Sequence, residues 1–318
     1  QEAMNGNDQA RLYGAAGVKG SLMFWNAWPE IRSQVFGLNG LAHKMVFDFN
    51  YYYAQSTQPL SKIAQYNEFD EDSQERFRTR FVLLEYGGVL PAQFDPRFYA
   101  VRSGAGNSVT APAYELVDDM QVLRLGWRHR WQTKAGPPEQ PRIEDWMTLD
   151  LEASYFPDAN RDNFGKSLGL LGGRYRWNVG ERTVFLADAL YDVFNGGQQL
   201  WDIGILSQRS VRGSVYLGLR QVHVGPIDSR LVVGSYSYVM SPKWISTFGA
   251  SFDIAEGLDR GQSLTLTRVG EYALVHFGFG YDRSRNVVGV GITIEPKLGG
   301  WGPNSPQLSS LLGLGRPR

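Results

Sequence analysis

The 318 residues contain no cysteine. That absence excludes disulfides, thiolate metal ligands and a cysteine nucleophile together. Net charge is also missing: 32 basic residues balance 32 acidic ones. The chain therefore lacks the basic footprint that marks a nucleic-acid partner. No run of eighteen apolar residues occurs, which excludes a transmembrane helix. Gln1 to Ala10 are polar and lack the charged-then-apolar pattern of a signal peptide, so either a signal was removed or the chain is a fragment.

What is present is alternation. Met147, Leu149, Leu151, Ala153 and Tyr155 interleave with Thr148, Asp150, Glu152 and Ser154. Near the end, Val288, Val290, Ile292 and Ile294 interleave with Gly289, Gly291, Thr293 and Glu295. Side chains of a strand point to opposite faces with period two, so each segment reads as a strand with one apolar and one hydrophilic face. Further strands are expected over Arg11 to Phe24, Lys44 to Tyr53, Arg76 to Tyr86, Met120 to Thr133, Lys166 to Val179 and a run ending at Phe194. Others follow over Leu200 to Gln208, Val211 to His223, Ser229 to Met240, Trp244 to Asp253, Gln262 to Val269, Glu271 to Tyr281 and Asn286 to Glu295. Glycine, proline and asparagine breakers separate nearly all of them. The expected fold is all-β, an antiparallel barrel of about 14 to 16 strands filling residues 1–318 as one domain, with 297–318 as a C-terminal tail.

A soluble β-sandwich would alternate too, with its apolar face against a second sheet. Three features favour a membrane wall. The strands are longer than those of ordinary globular sheets and match a tilted bilayer crossing. Aromatics gather near strand ends, at Tyr155, Phe156, Tyr175, Trp177, Trp201, Trp244 and Tyr281, as interfacial girdles do. The hydrophilic faces carry Arg, Asp and Glu along their length. A mean hydropathy of −0.31 agrees, since half of each barrel strand faces a polar lumen. The connections at Gly180, Ser210, Pro242 and Gly270 fall on one side and are mostly shorter than those on the other. Lys134 to Glu144, long and Pro-rich, breaks that rule.

Chemical motifs are few. Gly165-Lys166-Ser167 resembles the end of a phosphate loop, but Asn160 stands where its first glycine belongs. Asp158, Asn160 and Asp162 have the odd spacing of a calcium loop without its glycine or its final Glu. Asn67 to Asp72 is an acidic loop, read as solvated. His43, His129, His223 and His276 lie on separate strands without ligand spacing. No catalytic residue, metal site or cofactor is assigned. Arg124, Arg128, Arg130, Asp150, Glu152, Arg174, Arg176, Arg212 and Arg220 are expected to face the lumen, as a guide for anionic molecules or as a neutralising network.

Two segments go beyond a generic barrel. Gly40-Leu41-Ala42-His43-Lys44 leads into Tyr51-Tyr52-Tyr53 and then to Glu68-Phe69-Asp70-Glu71. Later come Leu123 to Gly126, Arg130-Trp131-Gln132-Thr133-Lys134 with Gly136, Asp145 to Asp150, Phe156-Pro157 and Arg161-Asp162-Asn163-Phe164. This order resembles the C-terminal barrel of the lipopolysaccharide-assembly family (LptD, the organic solvent tolerance proteins) over about Gly37 to Glu295. The family has more strands, a periplasmic domain and linking cysteines that find no counterpart here. The resemblance implies a transporter of lipopolysaccharide in the outer membrane of a Gram-negative cell. It also implies a lipoprotein plug, a periplasmic bridge protein and a lipid-releasing seam between first and last strands. Pro29 and Pro296 are the seam candidates, because proline cannot donate a ladder hydrogen bond. A porin-like diffusion channel is the alternative expectation, and a lipid-modifying barrel enzyme the third.

Overall fold

Period-two alternation becomes a single antiparallel sheet. The computed structural model describes residues 10–59, 91–94, 102, 118–137, 139–180, 182–224, 227–283 and 286–297. Their strands are β1 (Tyr13–Ser33), β2 (Leu38–Ser56), β3 (Met120–Ala135), β4 (Arg142–Tyr155), β5 (Leu168–Val179), β6 (Thr183–Tyr191) and β7 (Gln199–Ser210). They continue as β8 (Gly213–Val224), β9 (Ile227–Ser241), β10 (Trp244–Asp253), β11 (Leu258–Val269), β12 (Ala273–Asp282) and β13 (Val287–Pro296). All 13 pair in chain order. The chain is thus all-β, with the up-and-down arrangement of an antiparallel barrel wall. Every expected strand finds its counterpart except Arg76 to Tyr86, which lies outside the described residues, as does the tail beyond Lys297.

The first two strands outrun their expected limits. β1 continues past Pro29 to Ser33, because the register shifts between Trp28 and Arg32 and the proline sits in that irregularity. Among the described residues β1 ends the sheet, and an edge strand tolerates proline because its outer side has no ladder to interrupt. The connection after β3 is also shorter than the sequence suggests, spanning only 136–141 because both strands extend into it. The exception to the short-turn rule shrinks to six residues, still the longest connection on that side.

The turn 34–37 between β1 and β2 arches along the short-turn end of the sheet. There the Phe36 carbonyl accepts a 2.8 Å hydrogen bond from Trp146 Nε1, and Phe36 stacks on Trp177 at 6.0 Å. Gly37 and Gly180 make this approach possible. Both have positive φ, and a Cβ on Gly37 would lie 2.9 Å from the Gly180 Cα.

The two faces of the sheet differ in kind. Register places Leu217, Ile203, Phe248, Leu264, Phe279 and Ile292 on one face. These remain open to the surroundings; Ile203 is 53% and Leu217 57% exposed. Among the described residues no second sheet covers them, so the sandwich packing is not the one adopted. An apolar face this broad is stable only against an apolar medium.

The opposite face is closed at its long-loop end by a small cluster of Tyr52, Ala54, Met120, Val122 and Phe156, with Tyr13 against it. The Tyr13 and Tyr52 hydroxyls are hydrogen-bonded to each other. Beyond this cluster the face is polar.

Candidate functional site

Six adjacent strands each contribute one charged side chain at the same level of the polar face. Arg128 on β3 is opposite Asp150 on β4, which is opposite Arg174 on β5. The row continues through Asp188 on β6 and Asp202 on β7 to Arg220 on β8. Ion pairs stitch it together. Arg174 Nε is 3.2 Å from Asp188 and Arg220 Nε 2.9 Å from Asp202. Arg130 grips Asp150 with both terminal nitrogens, at 2.7 and 3.0 Å, and Arg128 reaches diagonally to Asp48 at 2.6 Å. Asp188 and Asp202 face each other as like charges, a repulsion that the two flanking guanidiniums offset. Most of these pairs are well exposed, so each contributes little to stability. Their shared consequence is a wall studded with fixed charge.

The row borders a recess of about 510 Å³ whose lining includes Asp150, Glu152, Arg174, Asp188, Asp202 and Arg220. One level further toward the long-loop end, Asp48, Gly126, Glu152 and Gly172 lie in register. Below the row, the Tyr216 ring lies flat over Gly204 and Gly218; a Cβ on Gly204 would come within 2.6 Å of that ring.

Eight of the nine charged residues expected on one face do share it. Arg124, Arg128 and Arg130 alternate along β3, Asp150 and Glu152 along β4, Arg174 and Arg176 along β5, and Arg220 lies on β8. Arg212 does not belong with them. It occupies the turn 211–212 at the short end, where its backbone N–H donates to Ser210 Oγ at 3.2 Å. Its parity matches Arg220, but β8 begins only at Gly213. The proline candidates fall on the two edge strands, Pro29 within β1 and Pro296 as the last residue of β13.

The long-loop end is held by joints that sequence reasoning missed. Arg102, from the long connection between β2 and β3, is buried against Asp192 and Asn163. The loop with calcium-like spacing spends its groups internally. Asp162 accepts from Arg161 and from the Gln121 backbone N–H, and the hydrogen bond to Asp162 raises the Arg161 pKa above its usual range. Asn163 accepts from Arg102 and donates to the Lys166 and Leu168 carbonyls. Asp253, fully buried, accepts from Ser229, Arg260 and the Ala255 N–H, tying β9, β10 and β11 together. Gly165-Lys166-Ser167 follows one helical turn, Ala159–Asp162, and lacks the strand-then-helix setting of a phosphate loop.

Two of the four histidines meet after all. His43 Nε2 and His129 Nδ1 are 3.0 Å apart, and both stack on Trp131. They lie on the apolar face, at the aromatic level near the short turns. Among the described residues no three potential metal ligands converge. No helix of the described residues is long and apolar enough to cross a membrane, which says nothing of crossing by strands.

No protein-family model matches this sequence, and no curated protein matches it. Solved structures of similar build exist. A variant of the Rhodopseudomonas blastica porin is 11% identical, with a TM-score of 0.39 over 90% of this chain and 100% of that one. A triple mutant of the same porin is 9% identical, with a TM-score of 0.39 and the same coverage. A structure described as "Asymmetric conductivity of engineered proteins" is 10% identical, with a TM-score of 0.40 over 89% of this chain and 99% of that one. Likeness at that level decides nothing by itself.

Proposed function

We propose that the chain forms the wall of a bacterial outer-membrane β-barrel whose lumen passes polar solutes, as a porin-like diffusion channel does. The observation that carries this reading is the charged row from Arg128 to Arg220, set on the face opposite the bare apolar one. A wall oily outside and charged inside is what a water-filled barrel in a bilayer requires. Purified protein added to a planar lipid bilayer is expected to give stepwise ion conductance. A bilayer that takes up the protein and stays silent would reject the channel.

A second reading, lipopolysaccharide assembly at the cell surface, has its own supporting observation. Among the described residues β1 and β13 are the two ends of the sheet and do not pair with each other. With 13 antiparallel strands the two ends run in the same direction, and each carries one proline, Pro29 or Pro296. A seam with few ladder bonds is the easiest place for an amphipathic lipid to leave sideways. On this reading the partners are a lipoprotein plug and a periplasmic bridge protein. Cross-linking β1 to β13 through introduced cysteines should then stop delivery of lipopolysaccharide to the surface. Unchanged delivery from a fully cross-linked seam would remove this reading.

A further inference from the structure

We infer that His43 and His129 form a binding site for a soft monovalent metal ion, copper(I) or silver(I), on the apolar face of the sheet. The site lies away from the charged row and is independent of what the polar face passes.

The positions of the two histidines are unexpected. Along β2 the apolar face carries His43, Met45, Phe47 and Phe49, and along β3 it carries Leu125, Trp127, His129 and Trp131. An ionisable side chain in a wall that meets lipid is costly and marks a functional position. Here two such side chains lie diagonally across neighbouring strands and point at each other. His43 Nε2 and His129 Nδ1 are 3.0 Å apart, with the rings 7° from parallel. Trp131 stacks on both rings, at 4.5 and 5.2 Å, and Trp127 leans on His129 at 4.7 Å. His129 is only 9% exposed. Two indoles thus fix the nitrogens in place before any ligand arrives.

Two imidazole nitrogens aimed at one point can share a proton or an ion. Metal–imidazole bonds are about 2.0–2.1 Å long, so nitrogens bridged by one ion stand roughly 3 to 4 Å apart, according to the bond angle. The gap between His43 and His129 is at the lower end of that range and needs little opening. The proton that lay between the rings passes to the far nitrogen of its own ring. Both imidazoles stay neutral, and each forms one bond to the ion.

Ligand number and charge choose the ion. Zinc takes four ligands and calcium takes six or more oxygens, but among the described residues no third histidine and no carboxylate joins the pair. Two neutral nitrogens supply no charge to offset a divalent ion in an apolar setting, where stripping water from a single charge is far cheaper. Filled-shell copper(I) and silver(I) carry one charge and accept two ligands in a line. Thioether sulfur, which favours copper(I), flanks the cluster on both neighbouring strands. Met45 stands directly opposite His129, and Met147 directly opposite Trp131.

Silver(I), stable in air, is the probe, added as its nitrate in chloride-free buffer to the purified chain in detergent. Equilibrium dialysis is expected to show one ion held firmly per chain. His43→Phe and His129→Phe keep a ring in the stack and remove the nitrogen. Each should weaken binding by more than the roughly hundredfold that loss of a mere supporting contact can cost. Met45→Leu should weaken it about tenfold, within that supporting range, while His223→Phe and His276→Phe should leave it unchanged. Bound silver should quench tryptophan fluorescence through the Trp131 stack, and His129→Phe should abolish the quenching. Zinc(II) should not be retained. Thermal unfolding in the same detergent shows which variants are folded; where His129→Phe is not, His43→Phe, on the less buried ring, carries the test. The proposal is overturned by a native chain that binds no silver, by undiminished binding to His43→Phe, or by zinc held as firmly as silver.

Discussion

Arg102 and Asp192 form a buried bidentate ion pair across 90 positions of sequence, at 2.6 and 3.3 Å, with side chains 1% and 0% exposed. Asn163 accepts from Arg102 Nε at 2.6 Å, the Gln93 carbonyl accepts from Nη1, and the guanidinium lies 4.5 Å over the Phe194 ring. One residue thus fastens the connection between β2 and β3 to the loops after β4 and β6. Removing one partner leaves a charge buried alone. Arg102→Met is expected to cost about 3–5 kcal/mol, read as a lower urea midpoint in detergent. Arg102→Lys should recover only part, because an ammonium cannot reproduce the planar fork. A midpoint unchanged by Arg102→Met would show that the joint does not hold.

Leu264 and Thr265 are adjacent on β11 and point to opposite faces, Leu264 among Phe248 and Phe279, Thr265 between Thr247 and Gly278. If the apolar face meets lipid, Leu264→Arg should cost about 2–4 kcal/mol near mid-bilayer, while Thr265→Arg should cost little. Folding equilibria measured in lipid vesicles separate the two. Equal costs would refute the outward direction of the apolar face.

Tyr216 needs both of its glycines. Gly204→Val would drive a side chain into the ring and is expected to cost about 1–3 kcal/mol. In the double variant with Tyr216→Ala most of that cost should disappear, since the colliding group is gone. Additive losses in a double-mutant cycle would mean that the ring does not lie where it is described.

Asp253 collects hydrogen bonds from Ser229, Arg260 and the Ala255 backbone. Asp253→Asn keeps the shape and removes the charge, and each bond to a charged group is worth about 1.5–3 kcal/mol. Loss of stability on that scale should be accompanied by faster amide exchange at the ends of β9, β10 and β11. Exchange that quickens equally in every strand would place the effect elsewhere.

Much of the wall is legible along the chain because alternation is local. A two-residue period in β4 or β13 shows which residues share a face without reference to any partner strand. Turn chemistry at Gly180, Pro242 and Gly270 then marks the ends. Local reading fails where a feature depends on the neighbour. Arg212 has the parity of Arg220, yet stands in a turn. Pro29 looks like a terminator, yet an edge strand carries it through an irregular register.

The all-β class, the two-faced strands and eight of the nine shared-face charges follow from side-chain period and can be read along the chain. What those charges meet depends on pairing between strands. Direct pairing of β2 with β3 across the connection 57–119 brings His43 beside His129 and Asp48 beside Arg128. Register alone sets Glu152 between Gly126 and Gly172, and only the folded chain delivers Arg102 to Asp192. Pairing across long stretches of chain has no local signature; it is chosen by the joint fit of every strand with its neighbours.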